Sequence, residues 1–126
     1  MTTFTEAQRA YLREPRLGRL ATVDARGRPH VVPTGFRFDP VAGVIDIGGH
    51  NLAATKKFRD ARAHPHVAFV VDDVVSSNPW HVRGVEVRGE AETFLVGGER
   101  LGPGFGPAWI RLVPTRIVGW GLDEGS

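Results

Sequence analysis

The chain has 126 residues and no cysteine. That absence removes disulfides, thiolate metal sites and thiol nucleophiles from consideration, and it suits a reducing compartment. Long apolar runs are also missing. The longest, such as residues 67–71, fall far short of a membrane span, and the N-terminus has no apolar signal core. The sequence therefore predicts a soluble, unprocessed, cytoplasmic protein. Charge of one sign is lacking too, because 16 Lys and Arg are interspersed with 14 Asp and Glu for a net +2. This balance supports a local anion pocket better than a nucleic-acid surface. With no internal repeat and no low-complexity tail, the length predicts a single domain over residues 1–126, small enough to need a partner subunit to complete a large site.

Several chemistries have little to rest on. No serine lies in an elbow motif and no pair of acids stands out, which argues against hydrolysis. Of the five histidines, His30, His50, His64, His66 and His81, only His64 and His66 have ligand-type spacing, and they flank Pro65 at a helix exit. We expect no metal site.

What is present is organised around residues 50–65. Gly48 and Gly49 close a preceding strand, Asn51 is placed to cap a first turn, and Pro65 ends the segment, which predicts a short helix. Ala54, Phe58 and Ala61 would form its apolar face, while Lys56, Lys57, Arg59 and Arg62 load the rest with positive charge. Two lysines in the first turn oppose the helix dipole. A bound anion would relieve that conflict, so Lys56 and Lys57 mark a candidate phosphate site, with a solvated basic face as the alternative.

Nearly everything else reads as sheet. Residues 5–14 predict a helix capped by Thr5 and stopped by Pro15, docked through Phe4, Ala7, Ala10 and Tyr11. Residues 17–23 and 30–38 read as a hairpin around a turn at 24–27. Pro33 must then sit at an edge or bulge, and Gly35 permits close approach of a backbone or flat ligand. Residues 44–47 form a third strand, and 66–72 an apolar strand that looks buried on both faces. Residues 73–79 read as a loop, and 80–94 as a strand alternating core and solvent, with a bulge expected at Gly84. Residues 96–107 hold five glycines and two prolines and read as a loop or lid, followed by two strand-like runs around Pro114. Six or seven short strands without βαβ alternation favour an antiparallel barrel of Greek-key character. Trp80, Trp109 and Trp120 all lie near glycine-marked irregularities. They are core or interface residues, or else walls against a planar cofactor. Arg111 and Arg116 would by default pack along the surface, or extend the anion site if a second subunit brings them to it.

Leu20-Ala-Thr-Val23, the Gly27-Arg-Pro-His-Val-Val-Pro33 hairpin, Lys56-Lys-Phe-Arg59 leading to His64-Pro65, Val87-Arg-Gly-Glu-Ala91 and the terminal run from Pro114 to Trp120 occur in this order over nearly the whole chain. Together they resemble the pyridoxamine 5'-phosphate oxidase-like split β-barrel superfamily, and within it the deazaflavin (coenzyme F420)-dependent oxidoreductases. The resemblance implies a homodimer of six-stranded split barrels with short helices and cofactor sites along the subunit interface. It implies that Asn51, Thr55, Lys56 and Lys57 hold the cofactor phosphate. The ring would lie along the backbone of Val32, Pro33 and Thr34, walled by Trp80 and by Trp120 of the partner. Residues 96–107 replace a longer helical segment found over the site in many relatives, and the substrate-binding C-terminal extension of true pyridoxamine phosphate oxidases is missing. The implied activity is hydride transfer from reduced F420 to a small conjugated or aromatic acceptor, with no catalytic side chain assigned. Its alternatives are an FMN-dependent oxidoreductase of the same fold, or a non-enzymatic carrier of flavin, deazaflavin or haem, for which His50 or His81 would be the axial ligand. A basic barrel for single-stranded nucleic acid rests only on Phe36-Arg-Phe38 and is disfavoured.

Overall fold

The computed structural model describes residues 3–122. Its elements are helix α1 (Glu6–Arg13), strands β1 (Gly18–Val23), β2 (Pro29–Thr34), β3 (Arg37–Asp39) and β4 (Val44–Gly48), helix α2 (Lys56–Ala63), and strands β5 (His66–Ser77), β6 (Trp80–Phe94) and β7 (Trp109–Trp120). Single 3-10 turns occur at Leu52–Ala54 and Gly98–Leu101.

All seven strands belong to one sheet in the order β2-β1-β5-β6-β7-β4-β3, and every pairing is antiparallel. The two edge strands, β2 and β3, are separated in sequence by Gly35 and Phe36 alone. Three chain steps reach at most roughly 11 Å, whereas the edges of a flat seven-stranded sheet would lie roughly 29 Å apart. The sheet must therefore curl until its edges nearly meet, which makes a split barrel. Seven strands stand where six were expected. The run 30–38 is not one strand, because the chain leaves β2 after Thr34 and joins the opposite edge as β3.

Other departures have equally local causes. The hairpin of β5 and β6 extends almost to its tip, so residues 73–77 are strand rather than loop. Gly84 stays in register opposite Asp72 and Trp120, and the ladder slips instead between Val74 and Ser76 and between Arg88 and Gly89. The second slip faces Pro114, which lacks an amide donor and is tolerated there, so the two C-terminal runs form one strand.

The core is the inner face of this curl. Leu20, Phe69 and Val87 lie in one cross-strand row, and all three are buried together with Ile45, Ile47, Val71, Val85, Ile110 and Leu112. Strand β5 is less enclosed than its composition predicts, since Val67, Phe69 and Val71 are buried while Ala68 and Val70 are only half-buried. Helix α1 docks through Phe4, Tyr11 and Leu12, and a reciprocal capping box between Thr5 and Gln8 fixes its start. Helix α2 packs on β1, β2 and β6 and inserts Phe58 and Ala61. Ala54 is exposed in the preceding 3-10 turn and takes no part in that apolar face.

Candidate functional site

The N-terminus of α2 is built differently from the expectation. Thr55, not Asn51, is the cap: its hydroxyl accepts from the Phe58 amide at 3.4 Å and donates to the Leu52 carbonyl at 2.6 Å. Asn51 makes no side-chain cap bond, because a 3-10 turn intervenes before the α-helix begins. With Phe58 satisfied by Thr55, the first-turn amides of Lys56 and Lys57 have no intrahelical acceptor.

The two lysines have unlike surroundings. Lys56 Nζ lies 3.0 and 3.2 Å from the two carboxylate oxygens of Asp60, one helical turn on, and 3.8 Å from Asp24 in the β1–β2 turn. Asp60 is buried and also accepts from the Thr22 hydroxyl at 3.3 Å. Hydrogen bonds from the Arg28 and Arg26 amides and the Arg28 guanidinium hold the Asp24 carboxyl down at about 2, so it is ionised at neutral pH. Lys57 has no ion pair or hydrogen bond among the described residues. It is half-buried, and that burial pushes its ammonium below the ordinary lysine range. Close by in the fold, on β2 opposite Thr22, the His30 ring has a buried Nδ1 without a hydrogen-bond partner. An uncompensated half-buried cation and two open amides are what an anionic group would complete.

Strand β2 is a sheet edge, as Pro33 required. Val32 turns inward opposite Leu20, Pro33 lies exposed opposite Arg19, and Thr34 is buried. On the outer face of the curl, Val31, Ala21, Ala68, Arg88 and Arg116 form a cross-strand row. Arg116 is exposed there. Trp120 lies across Gly84, where a Cβ would come within 2.5 Å of its ring. Trp80 stands 69% exposed near the tip of the β5–β6 hairpin. Trp109 is different: it is buried, stacks on Phe94 at 4.3 Å and donates from Nε1 to the Val96 carbonyl, so it is a core residue. Within one chain the structure groups Asn51, Thr55, Lys56 and Lys57 on a single connection. Val32, Pro33 and Thr34 lie on the edge strand, Arg116 and Trp120 on β7, and Trp80 at the hairpin tip.

Three charged groupings escaped the sequence reading. Asp60 was detectable from its i,i+4 spacing to Lys56. Tyr11 donates to Asp73 at 2.6 Å, and Arg83 and Arg16 pair with the same carboxylate, which is lowered from its ordinary range chiefly through Arg83 and then Tyr11. Burial pushes the Tyr11 phenol up, with the Asp73 hydrogen bond adding to it. Asp46 is buried and bound at both oxygens by Arg111, at 2.9 and 3.0 Å. These long-range pairs carry no local sequence signal. His64 and His66 are both exposed, and among the described residues no group of three or more His, Cys, Asp or Glu is placed to hold a metal. No described helix is long and apolar enough to cross a membrane.

The sequence matches the model of the pyridoxamine 5'-phosphate oxidase family over residues 4–112. The chain belongs to that family. It is 42% identical, over 95% of its length and 84% of the relative's, to the 5a,11a-dehydrotetracycline/5a,11a-dehydrooxytetracycline reductase of Streptomyces rimosus. In three dimensions this family member resembles an F420 reductase with a TM-score of 0.71 at 26% identity, covering 91% of this chain and 98% of that one. An FAD-binding protein from Mycobacterium smegmatis has the same fold, with a TM-score of 0.67 at 24% identity over 94% and 96% of the two chains.

Proposed function

We propose that this protein is an oxidoreductase that binds reduced coenzyme F420 and reduces a conjugated polycyclic acceptor of the dehydrotetracycline type. The observation that carries the cofactor half is Lys57, half-buried and unpaired beside the open amides of α2. A phosphate there would gain charge-assisted hydrogen bonds and remove the penalty of a desolvated cation. The likeness to an F420 reductase and to a dehydrotetracycline reductase supports the choice of deazaflavin and acceptor.

In this reading the cofactor, when bound, supplies the hydride, and the chain supplies position and electrostatics. Lys57, the amides of Lys56 and Lys57, and the Thr55 and Asn51 segment anchor the phosphate. Lys56 is largely committed to Asp60 and sets the helix rather than the ligand. The edge of β2 at Val32, Pro33 and Thr34 offers its open backbone to the ring. A second copy of the chain covers the outer face, bringing Trp80, Arg116 and Trp120 to the site. That face supports such an interface: Ala21, Ala68, Val70 and Val118 lie half-exposed across it, with a cavity of about 330 Å³ lined by Ala21, Val23, Ala68 and Arg88 among others.

The test is a fluorescence titration of the purified protein with F420 and, separately, FMN, followed by turnover of 5a,11a-dehydrooxytetracycline with reduced F420. Micromolar or tighter F420 binding with weak FMN binding is expected. Tight FMN binding with no F420 binding would transfer the protein to the flavin-dependent branch, and binding of neither would leave Lys57 without a ligand.

A further inference from the structure

A cavity of about 440 Å³ opens at the split between the two edge strands. Its walls are the end of α1 and the following turn (Leu12, Arg13, Arg16), the link and third strand (Gly35, Phe36, Arg37, Phe38), and Phe105 from the glycine-rich segment. Three features make it a site rather than a packing fault. The first is rigidity. Phe36 is fixed edge-on against Phe69 at 5.1 Å, Phe38 edge-on against Phe4 at 4.9 Å, and Phe105 sits over Gly48, where a Cβ would come within 2.5 Å of its ring. The second is access: a Cβ built on Gly35 meets nothing within 4 Å, so the floor beside the end of β2 is open.

The third feature is charge. Arg13, Arg16 and Arg37 face Glu14 alone among the lining residues. Arg16 pairs with Glu14 and with Asp73 and stacks on the Tyr11 ring at 3.9 Å, so its charge is already matched, while Arg37 donates to the Arg100 carbonyl at 3.3 Å. Arg13 has no ion pair among the described residues. The cavity thus combines phenyl walls with two arginines, Arg13 and Arg37, that have no ion pair among the described residues, which suits a planar ligand carrying an ionised enol or phenol. The neighbouring cavity of about 290 Å³ beside Tyr11, His81 and Arg83 is a poorer candidate, because Tyr11 and Arg83 are already bound to Asp73.

We propose that the seam cavity is the acceptor subsite, and that it takes a planar, polycyclic, ionised enol or phenol. The inference rests on the reading above in one respect: the cofactor ring lies along Val32, Pro33 and Thr34, so a ligand at Gly35 abuts it. The position of the glycine-rich segment follows from the same assignment. It is a wall of the subsite, contributing Phe105.

Amide chemical-shift mapping of the full chain, with and without F420, tests this using two probes, oxytetracycline and the sulfonated dihydroxyanthraquinone alizarin red S. Shifts should concentrate on residues 12–16, 35–38 and 105. Gly35→Val fills the open floor, and Gly35 does not occupy the left-handed region, so the backbone tolerates it. That variant and Arg13→Ala should each weaken both probes, Gly35→Val by tenfold or more, with F420 affinity within twofold of wild type. Gly35→Ala serves as a milder variant if the valine protein folds poorly. Shifts centred on Tyr11, His81 and Gly121, or unaltered probe affinity in the glycine variants, would overturn the proposal, as would the absence of any shift at the seam with either probe. If F420 fails to bind while both probes still map to the seam, the cofactor reading falls and the subsite stands.

Discussion

Lys56 and Lys57 are adjacent in sequence, yet the surrounding residues separate their roles. Replacing Lys56 by Met strips the buried Asp60 of its cation and should lower stability by about 1–2 kcal/mol, a figure discounted because Lys56 is partly exposed. Replacing Lys57 by Met removes a desolvated, unpaired charge. Thermal melts of the free protein should show Lys57→Met at or above wild type and Lys56→Met below it. F420 titration should reverse the ranking, with Lys57→Met weakened by about 10- to 100-fold, equivalent to ~1.5–3 kcal/mol of charge-assisted bonding. The sign of the Lys57 effect can be checked by pH. Its folded pKa lies below its unfolded value, so its protonation opposes folding, and that penalty is relieved as pH rises through the lowered folded pKa. Asp73 has the opposite sense: its folded pKa is depressed, so its contribution is present above the ordinary carboxylate range and is lost as pH falls below roughly 4. Urea melts from pH 7 to pH 3 should therefore show a smaller acid loss for Asp73→Asn, which starts from a lower stability, than for wild type. An equal acid loss would show that Asp73 is not among the groups that set it.

At the scale of elements, residues 96–107 form a loop, as their glycine and proline content predicts, apart from the 3-10 turn at Gly98–Leu101. The segment is nevertheless pinned at several points. Gly98 and Gly106 donate to the Pro107 and Gly49 carbonyls at 2.8 and 2.9 Å, Leu101 and Ala108 are buried, and Trp109 holds Val96. Arg100 and Arg111 stack on the Trp109 ring at 4.1 and 5.1 Å, and both reach Asp46. Asp46→Asn should therefore destabilise by about 2–4 kcal/mol, because Arg111 keeps its partial burial and loses its anion. Hydrogen exchange should quicken across residues 97–106 in that variant while β1 and β5 stay protected. Uniform quickening would mean the cluster supports the whole barrel and not this segment. The same scale shows which signals are readable without coordinates. The α1 cap, the alternation of β6 and the edge placement of Pro33 follow from local chemistry and were legible. The break at Gly35 and Phe36, the continuity of β7 past Pro114 and the pinning by Asp46 depend on strands far apart in sequence, so no local pattern announces them. The placement of both lysines in the first turn of α2 was legible from the sequence, whereas the pairing of Lys56 and not Lys57 depends on the positions of Asp24 and Asp60.

At the scale of the whole molecule, the curl of the sheet leaves an outer face that is partly exposed among the described residues. The row Val31, Ala21, Ala68, Arg88 and Arg116 places two small residues between Val31 and a pair of adjacent arginines, and Val31 at its edge is 62% exposed. Trp80, at the tip of the hairpin, is 69% exposed among the described residues. A second copy seated on this face would bury both and would bring Trp80 and Trp120 of each chain toward the β2 edge of the other, completing two sites related by a twofold axis. Ala68→Arg tests this, because it sets a bulky cation beside Arg88 in the middle of the face without touching the core row of Leu20, Phe69 and Val87. Light scattering should give twice the chain mass for wild type and the single-chain mass for the variant, with far-ultraviolet dichroism unchanged. F420 affinity should fall more than tenfold with the loss of the dimer if, as proposed, Trp80 and Trp120 of the other chain wall the ring. A wild-type monomer that binds F420 at full strength would instead mean that one chain holds the whole site, with Trp80 a surface residue only.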